Sequence, residues 1–285
     1  MFLAVLEGGS LSAASRALGI TQPTVRARLE ALEQALGATL FTRSSQGLQP
    51  TDHAKALHGH VRAMDHASRA FLRAASAVPG EVRGAVRVSV ADLVGVELLP
   101  AMLVGLRAKH PALAVEVALS NATVNMTEQA ADIAVRMLAP TQDTLVARKV
   151  GSITLGLFAH RDYLAQRGTP QTLADLAEHD LIGPDRSPMD LRAVEQILPP
   201  DVISRMLIRT DSHPAQVAAA RAGLGIAVMH VALGRADARL AHVLPDFVPG
   251  TLPVWLVKHR DLRQEPRIRA AYDHLVEAFT QYCRS

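Results

Sequence analysis

The sequence of 285 residues has little cysteine and few aromatic residues: one cysteine, one tryptophan and 4% aromatics in all. A single cysteine, Cys283, cannot form an internal disulfide, which excludes a disulfide-stapled secreted fold and favours a reducing compartment. No apolar run is long enough to cross a bilayer, and the N-terminus lacks the basic segment and cleavage site of a secretory signal. We therefore predict a cytoplasmic protein without a membrane partner.

Motifs of several enzyme classes are also missing, including the P-loop, the serine elbow and HExxH. The run at 223–225 follows a helical pattern and precedes a strand, the reverse of a dinucleotide-binding turn. One helical segment carries His53, His58, His60 and His66. His58 and His60 are two residues apart and so point to different faces of a helix. The spacing of the four histidines matches no known metal-ligand set. We expect no enzymatic activity, no cofactor and no metal site.

Acidic residues are scarce in the first 80 positions, which hold eight basic and five acidic side chains. The remainder is balanced, with 22 of each sign, so the whole formal excess of +3 lies in the N-terminal segment. Neutralisation of nucleic-acid phosphates would favour this asymmetry, although an excess of three is modest.

Residues 10–43 have the pattern of two helices joined by a tight turn and followed by a strand. Gly19 ends the first helix and Thr21 is the predicted N-cap of the second. An apolar stripe at helical spacing follows, made of Val25, Leu29, Leu32 and Leu36. An ordinary helical hairpin with a solvated polar face has the same periodicity, whereas a helix-turn-helix uses the polar front of its second helix to read base edges.

The order of residues in this stretch resembles the winged helix-turn-helix of the LysR-type transcriptional regulators. The matched positions are Phe2, Val5, Gly9, Ser10, Leu11, Ala13, Ala14, Leu18, Thr21, Gln22, Pro23, Val25, Leu32, Glu33, Leu36, Gly37, Leu40, Phe41, Arg43 and Thr51. The resemblance implies an all-α winged helix-turn-helix DNA-binding domain over residues 1–50. The family usually begins several residues earlier, so we expect this N-terminus to be truncated.

The predicted DNA contacts are Thr21, Gln22, Pro23, Thr24, Arg26, Arg28 and Arg43. Arg43 lies at the base of a predicted wing over 39–51, where it could contact phosphate or remain solvated. Arg26 and Ala27 stand where the family commonly has serine and arginine, and His53 stands where it usually has glycine. The first departure implies a different base preference or a shift towards phosphate contacts.

Residues 51–79 form a predicted linker helix, capped by Thr51 and ended by Pro79-Gly80. Residues recur along it at alternating spacings of four and three, namely Leu57, Val61, Met64, Ser68, Phe71, Ala75 and Val78. Heptad-like spacing is typical of a helix that pairs with another helix. We therefore predict a homodimer held partly by a weak helical seam, and the resemblance implies that tetramers are usual.

From residue 84 the pattern changes to alternating strands and helices, which indicates an α/β sheet covered by helices. This region resembles the effector-binding domain of the same family through Val82-Arg83-Gly84, Leu99-Pro100, Ala131 to Arg136, Tyr163-Leu164, Gly168-Thr169-Pro170, Asp175-Leu176 and Ala222 to Ile226. The resemblance implies a two-lobed periplasmic-binding-protein-like fold over 84–285. Lobe I would comprise 84–160 and 258–285, and lobe II 161–257.

Ligands of open α/β sheets bind beyond the carboxyl ends of strands. The residues at those ends are the predicted effector site: Ala91, Asp92, Leu93, Asn121, Ala122, Arg136, Asp211, Ser212 and His213. For Asp92 and Asp211 plain helix capping is favoured over ligand contact, and Arg136 could instead bind an internal carboxylate.

Together these patterns predict a DNA-binding transcriptional regulator that reads a promoter palindrome in double-stranded DNA and responds to a small-molecule effector between two lobes. One alternative is a small-molecule-binding protein of the same fold that does not bind DNA productively because its first helix is short. A solute-binding protein would leave the first 80 residues without a use. An enzyme on an α/β scaffold would need a cluster of titratable groups that the sequence does not reveal.

Overall fold

The computed structural model describes residues 1–44, 47–75, 81–121, 131–139, 145–259 and 265–284. The chain separates into an N-terminal compact unit that begins at Met1 and a larger unit that runs to the C-terminus. No helix of the described residues is both long and apolar enough to span a membrane.

The N-terminal unit is a helical bundle with a two-stranded wing. Its elements are α1 (Phe2–Gly8), α2 (Leu11–Leu18), α3 (Gln22–Leu36), β1 (Phe41–Ser44), β2 (Gly47–Pro50) and α4 (Asp52–Ala75). The helices and the wing share one apolar core, formed by Phe2, Val5, Ala14, Val25, Leu29, Leu40, Phe41 and Ala54. A winged helix-turn-helix is therefore present, as predicted.

The ends of the two central helices follow the predicted local signals. Gly19 adopts a left-handed conformation after α2 (φ 63°), and the Thr21 hydroxyl accepts the Thr24 N–H at the start of α3. The apolar stripe of α3 is buried only in its first half, at Val25 and Leu29. Leu36 is 46% exposed, so the last residue of the predicted apolar stripe lies outside the core of this unit.

Hydrogen bonds to backbone groups connect the wing to the helices. The Glu33 carboxylate accepts the N–H groups of Leu40 at 2.6 Å and Phe41 at 3.2 Å. The Leu48 N–H donates to the Gly9 carbonyl at 2.8 Å. Gly47 has φ +114°, and a Cβ there would lie 2.6 Å from the same Gly9 oxygen, so this position accepts only glycine.

The linker helix α4 divides into two parts. Thr51 caps it by accepting the Ala54 N–H at 3.2 Å, and Leu57 and Val61 pack against the N-terminal core. Further along, Met64 and Phe71 are each 71% exposed. The predicted seam residue Val78 and the predicted stop at Pro79-Gly80 lie outside the described residues, as does the wing turn at 45–46.

The described residues of the larger unit form nine strands. In chain order its elements are β3 (Gly84–Val90), a π-helical turn (Val94–Leu98), α5 (Leu99–Lys109), β4 (Leu113–Leu119), β5 (Ile133–Arg136), β6 (Leu145–His160), α6 (Arg161–Arg167), a 3₁₀ turn (Ala174–Glu178), β7 (Leu181–Gly183), α7 (Pro188–Ile197), α8 (Pro200–Ile203), β8 (Met206–Arg209), α9 (His213–Arg221), β9 (Ile226–His230), α10 (Val231–Ala236), β10 (Leu240–Val243), β11 (Thr251–His259) and α11 (Pro266–Tyr282). The hydrogen-bonded strand order is β4-β3-β5-β11-β6-β9-β7-β8, and β10 also pairs with β6.

Two lobes meet along the long strand β6. Its first part, up to Thr154, pairs with β11, and its last part pairs with β9 and β10. Lobe I therefore holds β3, β4, β5, β11, α5 and α11, and lobe II holds the elements from α6 to β10. One apolar core lies in lobe I, and separate clusters fill lobe II.

This pairing differs from the predicted lobe limits at 160/161 and 257/258. The crossing in β6 comes between Thr154 and Leu155, and β11 is already in the lobe I sheet at Thr251. An alternating apolar run predicts that a strand exists but not which strand lies beside it, because pairing depends on partners far along the chain.

Recognition helix and lobe junction

Helix α3, which we call the recognition helix, presents a polar front. Val25 and Leu29 are buried and fix the rotation of the helix, which leaves Gln22, Arg26 and Arg28 exposed. This orientation follows from helical periodicity, since residues three and four apart share a face. The predicted contact residues of α3 therefore lie around its solvent-facing N-terminal half.

The arginines of this surface carry unpaired charge. Arg26 and Arg28 on α3 and Arg43 on β1 are exposed, and none has a hydrogen bond or ion pair with another described residue. Thr21 and Thr24 differ, since their hydroxyls lie 2.8 Å apart. The three guanidinium groups are free to bind an external anion such as a phosphate, whereas the two threonines also bind each other.

In the larger unit, four of the predicted effector residues, Asp92, Leu93, Asn121 and His213, lie together where the two lobes touch, a region we call the lobe junction. The Asp92 N–H donates to Asn121 Oδ1 at 2.9 Å, and the Leu93 N–H donates to Asp92 Oδ1 at 2.7 Å. From lobe II, His213 Nδ1 lies 3.3 Å from the same Asp92 oxygen. The ends of two lobe I strands and the start of α9 are thus in contact.

His213 lies between carboxylates of both lobes. Its Nε2 is 3.5 Å from Asp190 Oδ2 on α7, and its Nδ1 faces Asp92. The hydrogen bond to Asp190 is the main cause of a raised pKa of His213, which burial opposes and Asp92 supports. The same hydrogen bond lowers the pKa of Asp190. Protonated His213 therefore links the lobes electrostatically.

Arg136 is a half-buried cation at the end of β5. Its guanidinium donates to the Ser89 carbonyl at 3.2 Å and to the Ser89 hydroxyl at 2.9 Å, and also to the Val135 carbonyl. Among the described residues it has no carboxylate partner, and burial lowers its pKa. The sequence left open an internal carboxylate as a partner of Arg136, and the described residues contain no such partner.

Asp211 and Ser212 have local structural roles. The Asp211 carboxylate accepts backbone N–H groups from Asp185, Arg186 and Ser187, each at 2.9 Å, and these bonds lower its pKa. The expectation that Asp211 caps α9 is therefore wrong. Ser212 caps α9 through the Ala215 N–H, while Asp211 holds the loop that precedes α7.

The remaining predicted effector residues differ in accessibility. Leu93 is only 8% exposed and packs in the lobe II cluster that contains Phe158, Val217 and Ala220. Ala91 is half-buried, and Ala122 lies outside the described residues. Leu93 thus joins the lobes through apolar contact rather than facing open solvent.

Sequence reasoning missed a second ion network at the lobe junction. Arg221, at the end of α9, makes a bidentate pair with Glu97 of lobe I at 2.7 and 2.9 Å. Its Nε also donates to Asp237 at 2.9 Å. Glu97 and Arg221 are 124 positions apart, so no local pattern indicates the pair.

A buried histidine, also missed, connects lobe II to the C-terminal helix. His230 is 3% exposed, and its Nδ1 lies 3.3 Å from the hydroxyl of Tyr282 on α11. Burial, aided by the charge of His213, lowers the pKa of His230 to about 4. His230 is therefore neutral at pH 7.

Comparison with known proteins agrees with both units. Residues 1–55 match the family model for the bacterial regulatory helix-turn-helix protein, lysR family, and residues 79–280 match the LysR substrate binding domain. The probable HTH-type transcriptional regulator LtrA of Klebsiella pneumoniae is 25% identical, covering 97% of this chain and 92% of its own length.

Solved structures share the fold along nearly the whole chain. CrgA, a LysR-type transcriptional regulator from Neisseria meningitidis, is 25% identical with a TM-score of 0.61, covering 97% of this chain and 96% of its own. CbnR in complex with its target DNA is 21% identical with a TM-score of 0.66 and the same coverage. Because the family models match most of its length, the chain belongs to the LysR family of transcriptional regulators.

Proposed function

We propose that this LysR-type regulator reads DNA with the front of α3 and with the wing. LysR regulators bind DNA and small-molecule effectors and form oligomers, and the family is not one of enzymes. The observation that carries the assignment of residues is the set of exposed, unpaired guanidiniums of Arg26, Arg28 and Arg43. The proposed contacts are Thr21, Gln22, Pro23, Thr24, Arg26, Arg28 and Arg43.

The partner DNA in this proposal is a palindromic promoter site bound by a dimer. Two recognition helices related by two-fold symmetry would enter major grooves about one helical turn, or a multiple of it, apart. The exposed Met64 and Phe71 of α4 support pairing of the linker helices, since large apolar side chains on a long helix favour a covering partner. A tetramer would add a second pair of recognition helices.

We propose that the effector binds at the lobe junction. Arg136 supports an effector with an anionic or acceptor group, because a half-buried guanidinium without a carboxylate partner among the described residues favours pairing with an anion. Ser212, His213, Asn121, Asp92 and Ala91 would surround it. An effector placed there would compete with the Asp92–His213 contact and so shift the equilibrium between lobe arrangements.

The domain assignment remains part of the proposal. It gives DNA binding to 1–50, the linker and dimerisation helix to 51–79 and effector binding to 84–285, in a cytoplasmic protein. The alternative without productive DNA binding is less favoured, because α1 buries both Phe2 and Val5 in the core that supports α3.

Fluorescence anisotropy of the full chain on the DNA upstream of its own gene tests the proposal. Gln22→Ala and Arg28→Ala should each weaken specific binding, by about 1–3 kcal/mol if they reach base edges. Arg192→Ala, which removes an exposed arginine of α7, is the matched control and should bind as wild type. Unchanged affinity and footprint in both recognition-helix variants would refute their role.

A further inference from the structure

A cavity of about 220 Å³ lies beside the crossing strand β6, in the larger unit. Its walls come from β6, α10, β10 and the segment after it, and the end of α11, so residues of both lobes line it. None of the predicted effector residues takes part. The cavity is therefore a separate compartment from the lobe junction.

The described residues that line this cavity carry one fixed charge, and it is positive. Arg235 is exposed at the edge of the cavity. Among the described residues Arg235 has no carboxylate partner, and none of those that line the cavity is acidic. The desolvation of His242 and the nearby Arg235 charge lower the pKa of His242. Its Nε2 atom is buried and has no hydrogen-bond partner among the described residues, so in that part of the chain the neutral ring has an unused polar nitrogen.

Two further titratable groups in the lining, Tyr282 and Cys283, are neutral. Burial raises the pKa of the Tyr282 phenol to about 12, and burial also raises the pKa of the Cys283 thiol. A cation beside neutral groups, with no carboxylate among the described lining residues, selects an anion or an acceptor group rather than a cation.

Apolar side chains make up much of the remaining wall, including Leu155 and Phe247. An inorganic anion would leave these surfaces against water, whereas an organic anion would cover them. The volume is larger than that of a cavity of roughly 150 Å³ that binds benzene. A ring-sized body with one acidic group fits both the size and the chemistry.

We propose that this cavity is a second ligand site, which binds a small organic anion with an apolar body and an acid group paired with Arg235. Its occupant would touch β6, α10 and α11 together, and would contact Tyr282, whose hydroxyl meets the buried His230 of lobe II. A ligand there would stiffen the connection between the lobes without entering the lobe junction.

The single cysteine of the chain provides the test, because Cys283 lines the cavity. Alkylation of the full-length protein by iodoacetamide is followed by intact mass, with phenylacetate, neutral phenylacetamide or cationic phenethylamine present. Phenylacetate at millimolar concentration should slow alkylation several-fold, phenylacetamide less, and phenethylamine not at all.

Three variants locate the bound anion. Arg235→Gln should abolish the protection by phenylacetate, whereas Arg192→Gln, the matched exposed arginine, should retain it. Arg136→Gln, which alters the proposed effector site, should also retain it, so failure of that site and of this one are distinguishable. Melting temperatures establish that each variant is folded. Protection that is absent in wild type, or equally strong in Arg235→Gln, overturns the proposal.

Discussion

The arginines of the recognition helix and those of the lobe junction have opposite surroundings. Arg26 and Arg28 are exposed and have no ion pair with another described residue, whereas Arg221 forms ion pairs with Glu97 and Asp237. An unpaired surface cation costs little to keep and is available to a phosphate from outside. A paired, mostly buried cation fixes internal geometry, so the same residue type serves binding in one region and architecture in the other.

Removing Arg221 should have the largest effect on stability. Arg221→Ala leaves the Glu97 carboxylate, which is 17% exposed, without its cation, and loss of one partner of a buried pair costs about 3 kcal/mol. Urea unfolding should report this loss, with Glu97→Gln as a second variant that keeps the volume. Arg28→Ala should change the free energy of unfolding by less than about 0.5 kcal/mol. Equal losses of unfolding free energy in Arg221→Ala and Arg28→Ala would contradict the structural role assigned to Arg221.

Acidification should next reveal the buried His230. Its folded pKa of about 4 lies below the unfolded value near 6.5, so the unfolded state binds more protons between these values. The free energy of unfolding therefore falls as pH decreases through this window, by about 3 kcal/mol in all. His230→Gln should flatten this dependence, and parallel curves for wild type and variant would contradict the assignment.

On the recognition helix, the effect should appear in DNA binding alone. Arg26→Ala, if Arg26 contacts phosphate, should weaken binding to all sequences alike and reduce the salt slope by about one. Arg28→Ala, if it reads a base, should relax specificity instead. Anisotropy titrations at several salt concentrations separate these outcomes, and an unchanged slope for Arg26→Ala would exclude its phosphate contact.

The smallest effect should come from His213, which is partly solvent-screened. Its pKa is raised by Asp190 and Asp92, so its contribution is fully present below the unfolded pKa and is lost as pH rises through the folded pKa. After screening we expect at most about 1 kcal/mol. The free energies of unfolding of His213→Gln and wild type should become equal at alkaline pH. A difference between these free energies that grows as pH rises would contradict the raised pKa.

Local signals predicted the N-terminal unit well. Gly19 and Thr21 mark the helix ends they were expected to mark, because a helix terminus depends on the conformation and hydrogen bonding of a few adjacent residues. The exposure of Leu36 was not predictable, since periodicity places a residue on a face without showing how far the core extends along that face.

The lobe junction was predicted less completely. Strand ends brought Asp92, Asn121 and His213 together, as the rule for open α/β sheets implies. Other contacts between the lobes were not predictable, because Glu97–Arg221 and His230–Tyr282 join positions far apart in the chain. Asp211 was misread as a cap of its own helix, since its carboxylate turns instead to a loop more than 20 residues earlier.

Because Leu93 is buried between the lobes, a separation of the lobes would change the heat capacity measured by calorimetry. This side chain of lobe I is inserted among the apolar residues of lobe II, so any separation of the lobes wets it and its neighbours. Wetting apolar surface raises the heat capacity, whereas a ligand that only fills a preformed site lowers it. Titration calorimetry at several temperatures would then tell an effector that separates the lobes from one that holds them shut.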